Sequence, residues 1–115
     1  MQVTRFADAR AYEAPNHFGV ASVLLQGREA GGASAFWCGV SRVQPGGGAA
    51  RGAAAQERVY VVLEGEITVA TAAGDTVLRA FDSCAIGAHE ERAMENRTDR
   101  PATLLVVMAS GAGPR

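Results

Sequence analysis

The sequence predicts an all-β domain of the sandwich or barrel type. Three observations carry that expectation. Short runs rich in Val, Leu, Ile, Phe and Thr recur along most of the chain. Gly, Asp and Asn turn signals separate them at close spacing. Helical periodicity is almost absent, and strands without intervening helices pack as sandwiches or barrels. At 115 residues the chain is long enough for one hydrophobic core and too short for two. A single domain over residues 1–115 is therefore expected.

The elements follow in order. An N-terminal arm over residues 1–18 has room for one helical turn at most, within 6–12, and Pro15 ends anything there. Strands are expected at 19–25, 35–43, 59–63, 66–71, 75–78, 83–86, 92–96 and 103–108. Glu64-Gly65 reads as a tight hairpin turn, Ala73-Gly74-Asp75 as a second one. Residues 96–101 form a polar loop ahead of the last strand. Residues 46–55 are low in complexity and short of polar anchors, so a mobile loop is expected. Residues 111–115 are expected to be a flexible tail.

Composition excludes several classes. Hydrophobic residues make up 48% and charged residues 20%, the balance of an ordinary globular protein. A formal net charge of −1 gives no footprint for nucleic acid or an anionic membrane. No apolar run approaches the ~20 residues that span a bilayer. The N-terminus lacks a basic-then-apolar export pattern, which makes the cytoplasm the expected location. Cys38 and Cys84 show no metal-ligand rhythm and are expected as reduced thiols. All eleven basic residues are arginine, so a lysine Schiff base and a P-loop lysine are both ruled out.

Glu57 to Val69 read Glu-Arg-Val-Tyr-Val-Val-Leu-Glu-Gly-Glu-Ile-Thr-Val, with Pro45-Gly46-Gly47-Gly48 just upstream. This combination resembles the first signature of the cupin superfamily, G-x5-H-x-H-x3,4-E-x6-G. The second signature, G-x5-P-x-G-x2-H-x3-N, is matched by spacing from Phe81 to Asn96. Phe81 replaces the first glycine ahead of a retained Asp82, Gly87 replaces the proline, His89 replaces the second glycine, and Asn96 is kept. The resemblance runs from about Phe36 to Met108. It implies a cupin double-stranded β-helix, a jelly-roll barrel.

The usual metal ligands are substituted. Counting back from Gly65, the family's glutamate falls on Arg58, and its two histidines fall among Arg51, Gly52, Ala53 and Ala54. Arg92 stands where the second signature has its histidine. The chain has two histidines, His17 and His89, so one subunit cannot form a three-histidine cage. The resemblance thus implies a small single-domain, conserved-barrel cupin lacking the usual metal ligands, with no cofactor expected. A mixed site from His17, His89, Glu57 and Glu91 stays open as an alternative.

Strand alternation in the aligned barrel turns Arg58, Tyr60 and Val62 inward on one strand, and Arg92, Met94 and Asn96 inward on another. Guanidinium groups stay charged and grip carboxylate or phosphate in a two-pronged fork. The expected site is a pocket for a small anionic organic molecule, with Arg58, Arg92, Tyr60, Met94 and Asn96 as ligand-binding residues. The competing expectation for the arginines is a structural ion pair with Glu57, Glu64 or Glu95. His89, beside Glu90 and Glu91, and His17, behind Pro15-Asn16, are the acid–base candidates. A plain surface position is the alternative for each. Phe36 and Trp37 are expected in the core or an interface. Three functions follow: a metal-independent isomerase, cyclase, dehydratase or decarboxylase; a non-catalytic small-ligand binder; or a metal-dependent oxygenase with non-standard ligands. An apolar outer face from Val59, Val61 and Leu63, together with the habit of the family, implies a homodimer.

Overall fold

The computed structural model describes residues 1–111. Its nine strands are β1 (Arg10–Tyr12), β2 (His17–Gln26), β3 (Phe36–Gly52), β4 (Arg58–Glu64), β5 (Glu66–Thr71), β6 (Gly74–Arg79), β7 (Ser83–Ile86), β8 (Arg92–Glu95) and β9 (Ala102–Ala109). They form one network in the order β6-β5-β8-β3-β9-β4-β7, with β2 on β3 and β1 on β2. Every pairing is antiparallel. This is the jelly-roll barrel that the sequence predicts. Among the described residues no helix is long and apolar enough to cross a membrane.

The long β3 is the spine. Its first half pairs with β9, from Phe36 opposite Ala109 to Val43 opposite Ala102. Its second half pairs with β8, with Gly48 opposite Glu95 and Ala49 opposite Met94. One strand therefore passes from one barrel wall into the other. Between the walls lie Val43, Val62, Ile67, Leu104 and Ala102, all fully buried. On β4 the inward positions Arg58, Tyr60 and Val62 are buried, whereas Val59 and Leu63 point outward and are exposed.

Three local expectations are corrected. Residues 46–55 are not a free loop, because Gly46–Gly52 belongs to β3 and Gly47, Gly48 and Ala49 are buried. Here β2 and β8 flank β3 on both sides, and ladder pairing supplies the anchors that the side chains lack. Glu64-Gly65 is not a hairpin turn, since β4 pairs with β7 and β9 while β5 pairs with β6 and β8. It is the step from one wall to the other. Gly65 takes φ of +80°, and a Cβ there would come within 2.9 Å of Ala102 Cα. The helical turn near the N-terminus shrinks to a 3-10 turn at Phe6–Asp8, and Arg10–Tyr12 pairs with β2 instead. Of the expected flexible tail, residues 112–115 lie outside the described residues.

Candidate functional site

A cavity of about 500 Å³ lies between the walls. Alternation on β4 brings Arg58 and Tyr60 to it, β8 brings Arg92 and Met94, and β9 brings Leu104, Val106 and Met108. The turn from β1 into β2, Glu13 to His17, completes the lining on another side. That turn is pinned where Ala50 N–H donates to Asn16 O at 3.0 Å.

Arg58 is 2% exposed, and its Nε–H donates to Tyr60 Oη at 3.3 Å. Its two terminal nitrogens are sealed from solvent and have no hydrogen-bond partner among the described residues. Arg92 donates through Nε to the same Tyr60 oxygen at 2.7 Å, and through its Nη1 to Ala50 O at 3.3 Å. Tyr60 thus accepts from two guanidinium groups and keeps its own proton to donate. The structural ion pairs considered for these arginines are not formed. Glu64 faces Arg42 at 3.6 Å, Glu95 binds Arg97 at 2.9 Å, and Glu57 is exposed. A buried guanidinium without a counter-charge costs several kcal/mol unless something pairs with it.

His17 is half-buried at the cavity edge. Its Nδ1 lies 2.8 Å from Pro15 O. A carbonyl only accepts, so Nδ1 carries the proton and Nε2 is the free basic position in the neutral ring. Burial, then the fields of Arg92 and Arg58, push the His17 pKa below its ordinary value, against the upward pull of the Pro15 bond. The native state resists protonation, so its stability is complete above the ordinary pKa of about 6.5 and falls as pH drops through the depressed one. Thermal melts between pH 7 and 4.5 are expected to fall more steeply for the wild type than for His17→Gln. Equal slopes would show that neither burial nor the neighbouring arginines act on His17.

The other candidates lie elsewhere. His89 is exposed, holds φ of +63°, and is not among the lining residues; its backbone N–H donates to Ala54 O at 2.7 Å and ties down the turn before β8. Asn96 is fully buried but also does not line the cavity. Its Nδ2 donates to Val43 O and Arg100 O, and its Oδ1 accepts from Thr98, fixing the bend between β8 and β9. Tyr12, Glu13, Arg28 and Trp37 also line the cavity, and sequence reasoning missed them. Trp37 was legible in principle, since alternation from the buried Ser41 on β3 turns Gly39 and Trp37 the same way.

The site does not fit a transition metal. Two permanent cations occupy the ligand positions, one imidazole lines the cavity, and no cluster of three or more His, Cys, Asp or Glu that could hold an ion exists among the described residues. The mixed site is not assembled either, because His89, Glu57 and Glu91 are exposed and none of them lines the cavity.

Comparison with known proteins agrees on the fold. Residues 39–108 match the family model described as a cupin domain. The chain is 46% identical over 109 residues to a protein of Mycobacterium tuberculosis (strain ATCC 25618 / H37Rv) named beta-D-galactosidase Rv1717, covering 95% of this chain and 94% of that one. Among solved structures it is similar to the polyketide cyclase RemF from Streptomyces resistomycificus, with a TM-score of 0.84 at 18% identity over 96% of this chain and 80% of that one. It is also similar to a cupin-superfamily sugar phosphate isomerase from Silicibacter pomeroyi DSS-3, with a TM-score of 0.72 at 27% identity over 90% and 70% of the two chains.

Proposed function

The chain belongs to the cupin family, and from that premise we propose that it is a metal-independent enzyme acting on a small anionic organic molecule by proton transfer. One observation carries this reading: Arg58 is buried at a cavity wall with both terminal nitrogens unpaired. A ligand carboxylate or phosphate would supply the counter-charge that the fold withholds, with the guanidinium turning from its sealed position into the cavity to reach it. Arg92 and Tyr60 would share in holding it, and Met94 would shape the apolar wall beside it. Neutral His17 would move the proton through Nε2. Preset cations near a developing enolate lower its energy without any metal, which suits isomerisation, dehydration, cyclisation or decarboxylation of an organic acid.

The test is proton exchange. A panel of hydroxy acids, keto acids and sugar acids is incubated in D2O with chelator-treated protein and followed by NMR. Deuterium is expected to enter a C–H next to the acid group with the wild type, and to do so at least about 100-fold more slowly with His17→Gln. Exchange that needs added divalent metal, or that ignores His17, would sink the proposal. Tight binding with no exchange across the panel would favour the non-catalytic binder.

The 46% identity to a protein named as a galactosidase favours a second reading, glycoside hydrolysis. Such enzymes normally flank the bond with two carboxylates. Here Glu13 is the one carboxylate among the lining residues described, so it would have to work with His17. Nitrophenol release from nitrophenyl β-D-galactoside, abolished by Glu13→Gln, is the result that would select this reading.

A further inference from the structure

We infer that the ligand is an acidic sugar, a single pyranose bearing a carboxylate or phosphate, with its acid group on Arg58 and its ring against Trp37. The inference rests on the anion-pocket reading above and goes further by naming the substrate class.

The geometry comes from the sheet register. Trp37 pairs with Met108, and Met108 pairs with Arg58, so the three lie in one cross-strand row over β3, β9 and β4. Paired residues share a face, and all three line the cavity. Two strand spacings separate Trp37 from Arg58, about 10 Å of wall. A lone carboxylate or phosphate would leave most of that wall uncovered. One six-membered ring with an exocyclic acid group matches it.

The far end is built for more than charge. Trp37 meets Tyr12 edge to face, with centroids 5.6 Å apart. The Arg28 guanidinium covers one side of this corner, 5.2 Å from the Trp37 centroid and 5.6 Å from that of Tyr12. A pyranose presents C–H bonds on its face and hydroxyls around its edge. Aromatic surface suits the first, and the donors of Arg28 suit the second. Arg28 also holds φ of +51° between Gly27 at +84° and Gly31 at +76°, an unfavourable backbone for arginine kept at the cavity rim. Two relatives are named for sugar chemistry, one for a neutral galactoside and the other for a sugar phosphate, and the second carries the acid group as well.

Calorimetry with D-galacturonate, D-galactose 6-phosphate, D-galactose, acetate and inorganic phosphate tests the inference, and the first two separate the carboxylate from the phosphate. At least one acidic sugar is expected to bind about tenfold or more tighter than D-galactose and than its own bare anion. Arg58→Met should erase the advantage over D-galactose. Trp37 is the chain's single tryptophan, so its fluorescence reports the ring directly. Acidic sugars should change the emission of the wild type, and acetate and phosphate should not. Bare anions binding as tightly as acidic sugars, with silent Trp37 emission, would overturn the sugar assignment while leaving the anion pocket standing. Equal binding of D-galactose and the acidic sugars, indifferent to Arg58→Met, would overturn both.

Discussion

Replacing Arg58 by methionine is expected to make the ligand-free protein more stable while abolishing its affinity for anions. Most single substitutions of a buried residue do the opposite, because they break a partnership. Arg58 has one neutral contact, to Tyr60, and two terminal nitrogens with nothing to bind. Its neighbours across the strands are Ile86 and Met108, apolar side chains that accommodate a methionine. Exchanging even a buried ion pair for apolar volume is often neutral or gains about 1–4 kcal/mol, and Arg58 has no ion pair to lose. For a domain of this size that raises the melting temperature by about 4 °C per kcal/mol. Tyr60 still receives the shorter bond from Arg92, so its oxygen is not orphaned. Thermal melts of wild type and Arg58→Met, each with and without inorganic phosphate, decide the matter. The wild type should melt lower and gain from phosphate, and the variant should melt higher and gain nothing. A variant that melts well below the wild type would mean that Arg58 stabilises the fold.

Gly48→Ala is expected to be the most damaging small change in the chain. A Cβ at this position would overlap the Met94 carbonyl oxygen and lie 2.9 Å from Glu95 Cα. Both are backbone atoms of β8, held by the ladder, so neither can turn aside as a flexible side chain would. The strands must separate where the two walls join. A loss of about 3 kcal/mol or more is expected in chemical denaturation, large for the addition of one methyl group. Gly46→Ala, two residues away, has nothing within 4 Å of its Cβ but holds φ of +79°, so its smaller cost is confined to the backbone. Near-native stability in Gly48→Ala would show that β3 and β8 are not so closely joined.

The same stretch marks where the sequence stops being legible. Strand positions such as 59–63 and 66–71 announce themselves through β-branched and aromatic residues, and the structure has β4 and β5 at those places. Residues 46–52 carry no such signal, because the strand there is specified by its neighbours rather than by its own side chains. Glu64-Gly65 carries a turn signal, but a turn says nothing about whether the flanking strands pair with each other. The inward direction of Arg58 and Tyr60 followed from period two together with the family alignment. Their convergence with Arg92 and His17 needed the register of five strands, β2, β3, β4, β8 and β9. His89 and Asn96 stood in suggestive positions of a motif, yet backbone geometry uses the first to close a turn and hydrogen bonding uses the second to fix a bend. Trp37 and Arg28 were hidden for another reason: a tryptophan in a strand and an arginine between glycines are ordinary until the fold sets one above the other.

The spine strand also governs when the protein can come into being. Its partners β8 and β9 lie at the far end of the chain, so neither wall can be completed from the N-terminal half alone. During synthesis the nascent polypeptide must wait, with its apolar segments unshielded, until the last strands leave the ribosome. Closure then commits both halves at once, the kind of distant pairing that makes folding slow.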